Sequence, residues 1–281
     1  MNRQVQGNEQ DYVIVTQHEK GAVVDPIFSE VLGVRVTELH ANTDQLGTFD
    51  GEIPRRDGPL ATALAKAQIG RDLGVTRVLA SEGTFSPHPA MPWMTVNSEL
   101  IVALVDDLPS PVVGSAVSLE TVVFSREVGP DDDLNEIATQ AKLADHAVLV
   151  RNIDDEPAVL SKGIQDGDAL REALTRVWRV SPSRRAHVHS DLRAHLSGSR
   201  RSVIAAAARD LAVRLSQTCP SCHIPGWGAT EVIRGAPCTD CGSATNQIRG
   251  ERLSCPHCLV SESRIDLDLR GDPGACDRCN P

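Results

Sequence analysis

The chain has 281 residues, a formal net charge of −10 and a charged fraction of 23%. This net negative charge argues against nonspecific binding to nucleic acid or to an anionic membrane, because both also carry negative charge. Only eight residues are aromatic, four Phe, three Trp and one Tyr. The core must therefore be built from Val, Leu, Ile and Ala, and recognition of bases by aromatic stacking is not expected.

The N-terminal segment, residues 1–11, is polar, and no uncharged apolar run in the chain is long enough to span a bilayer. A secretory signal needs an apolar segment, and a membrane helix needs about 20 apolar residues. The sequence predicts a flexible tail at residues 1–11 and a cytoplasmic protein with no membrane partner.

Apolar segments alternate between strand and helix patterns from residue 12 onward. Tyr12–Thr16 is a compact apolar strand, a helix follows through Val23–Leu32 and ends at Gly33, and Val34–Leu39 is a second strand. Two strand–helix steps in the first forty residues favour a parallel sheet. We therefore predict an α/β domain over residues 12–216, with a mixed, mostly parallel sheet and flanking helices.

The remaining elements of this domain are predicted from the same periodicity. Helices are expected at Pro59–Leu73, from Asp131 to about Asp145, at Asp168–Val177 and at Arg200–Leu215. Strands are expected at Val75–Ala80, Leu100–Val105, Ala147–Arg151, Ala158–Ile164 and His187–Leu192, with an extended ribbon at Val112–Val128.

The segment Val75–Met94 is where an apolar run stops and polar side chains begin. Glu82 follows the predicted strand, and His88 lies among three prolines. Ligands of α/β sheets bind at the carboxyl ends of strands, so Glu82 is a candidate Mg²⁺ ligand or general base. The candidate catalytic residues are Glu82, Glu52, Glu120 and His88. The alternative is that Glu82 caps a loop or pairs with an arginine, and that His88 is structural.

Several cationic and polar residues are candidates for binding phosphate. Three of them lie on the first strand-to-helix turn, where backbone N–H groups and a lysine often bind phosphate. Arg200 and Arg201 begin a predicted helix, whose dipole disfavours cations there and so suggests an anionic partner. A solvated helix face is the alternative for most of the arginines. The full set is Thr16, His18, Lys20, Lys66, Lys162, Arg193, Arg200 and Arg201.

All eight cysteines lie in a C-terminal module at residues 217–281, and each belongs to a CxxC pair. The pairs are separated by 15, 13 and 17 residues and consist of Cys219 and Cys222, Cys238 and Cys241, Cys255 and Cys258, and Cys276 and Cys279. Two CxxC turns supply the four thiolates of a tetrahedral zinc site. We predict two structural Zn²⁺ ions in a double zinc ribbon. Successive and interleaved pairing of the turns both remain open.

Other interpretations of the cysteines explain less. A disulfide framework requires an oxidising compartment, and a redox motif would explain one CxxC pair rather than four. Catalysis at zinc needs an open coordination position, which eight thiolates around two ions do not leave. From residue 219 to 281 there are six arginines, no lysine and eight acids, so nucleic acid is an unlikely partner. A structural or protein-contact role is expected for this module.

The motifs TQHEK, LGTFDGEIPR, ALAKAQ, ASEGTFSPHPAMP, SLET, SKGI and SDLRAH, with the terminal CPSC ribbon, resemble an uncharacterised bacterial family of unknown function. More distantly, the order of parts resembles the inosine/xanthosine triphosphatase and Maf-like nucleotide pyrophosphatases. The matching positions are Thr16 and Lys20, Glu52 ahead of Lys66, Glu82, and Ser199 with Arg200. The resemblance implies hydrolysis of a nucleotide.

The leading hypothesis is a hydrolase of nucleotides or related phosphate esters that depends on Mg²⁺ or Mn²⁺. In this hypothesis Glu82, with Glu52 or Glu120, holds the divalent ion, while Lys20 and Arg200 bind phosphate. The alternative is a non-enzymatic zinc-ribbon protein that binds a protein, nucleotide or RNA partner. A binding protein would lose an anionic ligand steeply with salt and would release no product.

Overall fold

The computed structural model describes residues 10–46, 57–88, 91–154 and 159–280. The chain divides into two units, the first formed by Met1–Leu104 and Val113–Leu211, and the second by Val105–Val112 and Ala212–Pro281. Within the described residues, no helix combines the length and the apolar character needed to cross a bilayer.

The first sheet has five strands in the order β2-β1-β3-β4-β5. Its strands are β1 (Tyr12–Thr16), β2 (Val36–His40), β3 (Arg77–Pro87), β4 (Thr95–Val105) and β5 (Val112–Ser118). Strand β1 pairs in parallel with β2 and with β3. The sheet is therefore mixed, with its parallel part centred on β1.

Two helices connect the parallel strands. Helix α1 (Gly21–Leu32) follows β1 and ends at Gly33, which has the left-handed φ of 69° typical of a glycine cap. Helix α2 (Pro59–Asp72) begins with proline in its first turn, where the missing N–H costs no hydrogen bond. Small residues of α2, Ala63 and Ala67, are buried with Val15, Val78 and Ala80 of the sheet.

The second sheet has four antiparallel strands in the order β6-β9-β7-β8. Its elements, with the helices that follow in the chain, are β6 (Ser125–Val128), α3 (Leu134–Gln140), β7 (Ala147–Asn152), β8 (Val159–Ile164), α4 (Gly167–Val180), β9 (Ala186–Asp191) and α5 (Gly198–Ser216). A separate apolar cluster joins this sheet to α3 and α4. Helix α5 approaches β5 so closely that a Cβ on Gly114 would lie 2.3 Å from the backbone nitrogen of Leu211.

The second unit contains a three-stranded antiparallel sheet of β10 (Gly228–Arg234), β11 (Ile248–Ser254) and β12 (Ser261–Ile265). Its apolar cluster is small and consists of Trp227 and Leu253 with the thiols of Cys219, Cys222 and Cys255. So little buried apolar surface cannot by itself stabilise a module of this length.

Most of the predicted elements of the first unit are present. The strand Tyr12–Thr16 and the glycine end of α1 are confirmed, and the Asp133 side chain accepts hydrogen bonds from the backbone of Asn135 and Glu136 at the start of α3. That helix ends at Gln140, earlier than predicted.

Three predictions about the strands are wrong. The sheets are mostly antiparallel: among the described strand pairs, those of β1 with β2 and β3 are parallel, and those of the second sheet are antiparallel. The ribbon predicted at Val112–Val128 is two strands in different sheets. Glu82 does not end its strand, since β3 continues to Pro87. Glu82 instead lies just beyond Ala80, the last residue of β3 paired with β1.

Candidate functional site

The eight cysteines form two groups of four. One group is Cys219, Cys222, Cys255 and Cys258, and the other is Cys238, Cys241, Cys276 and Cys279. The sulfurs of each group lie within 4.8 Å of one another, with closest pairs at 3.6 to 3.9 Å. A tetrahedral Zn²⁺ with bonds of about 2.3 Å places its sulfurs about 3.8 Å apart. Both groups are compatible with closed, structural zinc sites, and the pairing is interleaved.

The same backbone turn recurs at all four CxxC pairs. The amide of the residue after the second cysteine donates to the carbonyl of the first cysteine: His223 to Cys219, Gly242 to Cys238, Leu259 to Cys255 and Asn280 to Cys276. His223, Gly242 and Leu259 have positive φ angles of 60°, 72° and 63°. This turn brings the two thiolates of each CxxC pair to one side of the backbone, as a tetrahedral zinc site requires.

The first unit contains a second candidate site, which we call the charged cluster and which consists of Lys20, Lys66, Glu82, Glu99 and Arg200. Lys66 Nζ lies 2.5 Å from Glu82 Oε2, and only 11% of the lysine side chain and 2% of the glutamate side chain are exposed. Arg200 Nε donates to Glu99 Oε1 at 2.6 Å. The Arg200 and Glu99 side chains are 1% and 0% exposed, so both acids are paired in a water-poor environment.

Lys20 is the cation of the charged cluster that pairs with no carboxylate among the described residues. Its Nζ donates to Ser81 Oγ at 2.8 Å, and the residue is buried. Burial, followed by repulsion from Arg200, lowers the pKa of Lys20 from 10.5 to about 7, against the attraction of Glu99. Near neutral pH this lysine is therefore poised between its charged and neutral forms.

Two histidines and an arginine lie beside the charged cluster. The rings of His18 and His195 are 5.4 Å apart. Burial, with Lys20 as the next cause, lowers the pKa of His18 to about 4, and burial also lowers the pKa of His195. Arg193 contacts Asp191 with Nη2–Oδ2 at 2.6 Å. The lowered pKa values favour the neutral form of both imidazole rings at pH 7.

The helix N-terminus of α1 does not offer its first amide to a ligand. The Gly21 amide donates to Glu38 Oε1 at 2.5 Å, and the His18 amide donates to Thr16 Oγ1 at 3.1 Å. Two backbone amides of the turn that was expected to bind phosphate are therefore bonded within the protein.

The structure brings together only part of the predicted site. Lys20, Lys66, Glu82 and Arg200 meet in the charged cluster, and the anionic partner expected for Arg200 is the protein's own Glu99. The remaining residues lie elsewhere or carry other contacts. Glu120 is exposed, Lys162 is exposed on β8, His88 Nδ1 accepts from the Met91 amide, Arg201 pairs with Asp145, and Glu52 lies outside the described residues.

Sequence reasoning missed Ser81, Glu99 and Asn97. A signal for the last two was present, because Asn97 and Glu99 alternate within the strand TVNSELIVALV, and residues two apart in a strand share a face. Two polar residues on one face of an otherwise apolar strand indicate a polar site inside the fold.

Comparison with known proteins adds a family but no activity. No curated protein and no solved structure matches the chain. Residues 64–281 match a family model described as a domain of unknown function, DUF6671. This match covers β3, β4, the charged residues Lys66, Glu82, Glu99 and Arg200, and all eight cysteines. The chain therefore belongs to the DUF6671 family.

Proposed function

We propose that the first unit binds the phosphate groups of a small molecule at Lys20 and hydrolyses its phosphate ester or anhydride. The observation that supports this proposal is the charge balance of the cluster. Glu82 is paired with Lys66, and Glu99 with Arg200, so the charged form of Lys20 adds a buried positive charge that no carboxylate among the described residues contacts directly. A buried charge without a counter-ion is costly, and a phosphate would supply the counter-ion.

The chemistry follows from the groups beside Lys20. The charged form of Lys20 would balance the negative phosphoryl oxygens. Glu82 would orient a water molecule and accept its proton as the water oxygen attacks phosphorus. The phosphorus–oxygen bond to the leaving group would then break, and its electron pair would stay on the leaving oxygen. For an anhydride that oxygen belongs to a phosphate, and for an ester it is an alkoxide that would take a proton from water.

The divalent cation of this proposal enters with the substrate. Glu82 already has Lys66 at 2.5 Å, so a Mg²⁺ or Mn²⁺ ion held by this carboxylate alone would have to displace a cation. Both ions bind readily to nucleotide phosphates. The zinc sites take no part in the step, because four thiolates leave zinc no position for water.

The test is release of phosphate and pyrophosphate from canonical and deaminated nucleoside triphosphates, with Mg²⁺ or Mn²⁺. Wild-type protein should release product, and both Lys20→Met and Glu82→Gln should reduce kcat/KM by about a hundredfold or more. Arg209→Met is the matched control, because Arg209 lies on the exposed surface and pairs with Glu30. Full turnover in Lys20→Met would contradict the proposal.

The same assay addresses the non-enzymatic alternative. Its support is the exposure of large apolar side chains in the second unit, where Leu259 and Leu267 are 81% and 73% exposed. If the wild-type protein retains its zinc and its fold but releases no product from any substrate, a binding role becomes the better account.

A further inference from the structure

Asn97 is a buried side chain whose hydrogen-bonding capacity is unused. The residue is 0% exposed, and neither Oδ1 nor Nδ2 of its amide has a hydrogen-bond partner in the described part of the chain. Among the described residues it is the one side chain with two such atoms. An amide removed from water without partners is destabilising, and buried polar groups in folded proteins are almost always bonded. This exception needs a physical reason.

The position of Asn97 connects it to the charged cluster. It lies two residues before Glu99 on β4, so both side chains share one face and their Cα atoms are about 7 Å apart along the strand. Glu99 binds Arg200 on that face and also acts electrostatically on Lys20. The Glu99 carboxylate packs directly against Gly83 of β3, since a Cβ at Gly83 would lie 2.2 Å from Glu99 Oε1.

The chemistry of the unused amide restricts what it can recognise. An asparagine side chain presents one acceptor and one pair of donors side by side. The complementary ligand group has a donor next to an acceptor, as the hydrogen-bonding edge of a nucleobase does. With eight aromatic residues in the chain, such an edge would be recognised by hydrogen bonds rather than by stacking.

We propose that Asn97 binds the base edge of a nucleotide whose phosphates lie at Lys20. This inference rests on the proposed function and narrows it from phosphate esters in general to nucleotides. Asn97 determines specificity and does not touch the reacting atoms. The buried amide is destabilising in the free protein and gains its hydrogen bonds when the nucleotide binds.

The experiment compares a nucleoside triphosphate panel with ribose 5-triphosphate, which lacks the base, by calorimetric titration without Mg²⁺ or Mn²⁺, so that the ligands are not hydrolysed during the measurement. Wild-type protein should bind at least one nucleotide roughly 10- to 100-fold more tightly than ribose 5-triphosphate, as two buried hydrogen bonds allow. Asn97→Leu should lose that preference and keep its affinity for ribose 5-triphosphate. Asn97→Ala should also lose the preference and keep the affinity. This variant controls for a steric effect of the leucine side chain.

Thermal unfolding of the ligand-free proteins separates a ligand group from a structural one. Asn97→Leu should leave Tm unchanged or raise it, since the substitution removes an unbonded polar group. Asn152→Leu is the matched control: Asn152 is buried and its Oδ1 accepts from the Asp154 amide, so its loss should lower Tm.

Each contrary outcome has its own meaning. Equal wild-type affinity for nucleotides and ribose 5-triphosphate overturns the role of Asn97 and leaves the phosphate site standing. Retained base preference in Asn97→Leu, or a fall in its Tm like that of Asn152→Leu, also overturns that role. Absence of binding by every phosphate ligand, with the fold intact, refutes the proposed function itself.

Discussion

The two units neutralise buried charge in opposite ways. In the first unit, Glu82 and Glu99 are neutralised by Lys66 and Arg200, so the chain supplies both signs of charge. In the second unit, eight thiols converge in two groups that could each hold a zinc ion. We therefore expect the first unit to fold around its own ion pairs and the second unit to depend on zinc for its stability.

Of the changes predicted for the two units, removal of the metal should have the largest effect on stability. Chelation of two zinc ions should unfold the second unit, because structural zinc contributes about 10 kcal/mol or more to such modules. Backbone amides of β10–β12 should lose protection from hydrogen exchange, while those of β1 and β7 keep it. Metal analysis should find two zinc ions per chain beforehand. Protection of β11 that survives complete metal removal would contradict this account.

The interleaved pairing can be tested within the same module. Cys219→Ser should weaken the metal shared with Cys255 and Cys258 and leave the other site filled. Cadmium NMR of the substituted protein would show which thiolates share an ion. Loss of signals from Cys238 and Cys241 instead would indicate successive pairing.

Removing one member of the most deeply buried ion pair should have the next largest effect. Arg200→Met leaves Glu99 buried without its partner and should cost about 3–5 kcal/mol of unfolding free energy, as measured by urea denaturation. The double variant Arg200→Met with Glu99→Leu should recover much of this loss. Arg209→Met, which breaks an exposed pair, should cost less than about 1 kcal/mol. If Arg200→Met cost as little as Arg209→Met, the pair of Arg200 and Glu99 would contribute little to stability.

Lys20 should give the first unit a characteristic pH dependence. Its pKa is about 7 in the folded chain, against an ordinary value of 10.5, so between these values the unfolded chain binds more protons. Stability should rise as pH increases through this window. Between pH 7 and 9, the unfolding free energy of the wild-type protein should increase by about 2 kcal/mol more than that of Lys20→Met. Equal slopes for the two proteins in urea denaturation would show that Lys20 does not titrate there.

Loss of a local hydrogen bond should lower the unfolding free energy by the smallest amount, and it provides a reference for the larger losses. Asp133→Ala removes the side chain that accepts from the backbone amides at the start of α3. Loss of such a helix cap costs about 1 kcal/mol, measurable by the same denaturation. A cost as large as that of Arg200→Met would mean that ordinary local bonds rival the charged cluster.

The difference between the units also explains what could be predicted from sequence. Ligands of one metal must lie close together, so the CxxC pairs are visible as a local pattern, and their turns repeat in the structure. The pair between Glu99 and Arg200 joins residues 101 positions apart, and no local pattern shows such a contact. Interleaving of the cysteine pairs has the same long-range character and remained open for the same reason.

Fold prediction failed where long-range pairing decides the structure. Strand β1 and helix α1 follow from local apolar pattern and a glycine cap. The direction of each later strand depends on the strand with which it pairs, and the pairs of the second sheet are antiparallel. Glu82 was predicted to lie where a buried strand ends, but the strand around it was predicted too short, because the polar residues within β3 resemble the start of a loop.

The central claim, that Lys20 binds an anion, is tested most directly by NMR of labelled lysine side chains. The free protein should show one lysine titrating near pH 7, and the signal should be absent in Lys20→Met. Saturation with inorganic tripolyphosphate should raise the pKa of that lysine well above 7, because a bound anion stabilises its charged form. If the pKa of Lys20 stays where it is under saturating tripolyphosphate, the charged cluster is not the phosphate site.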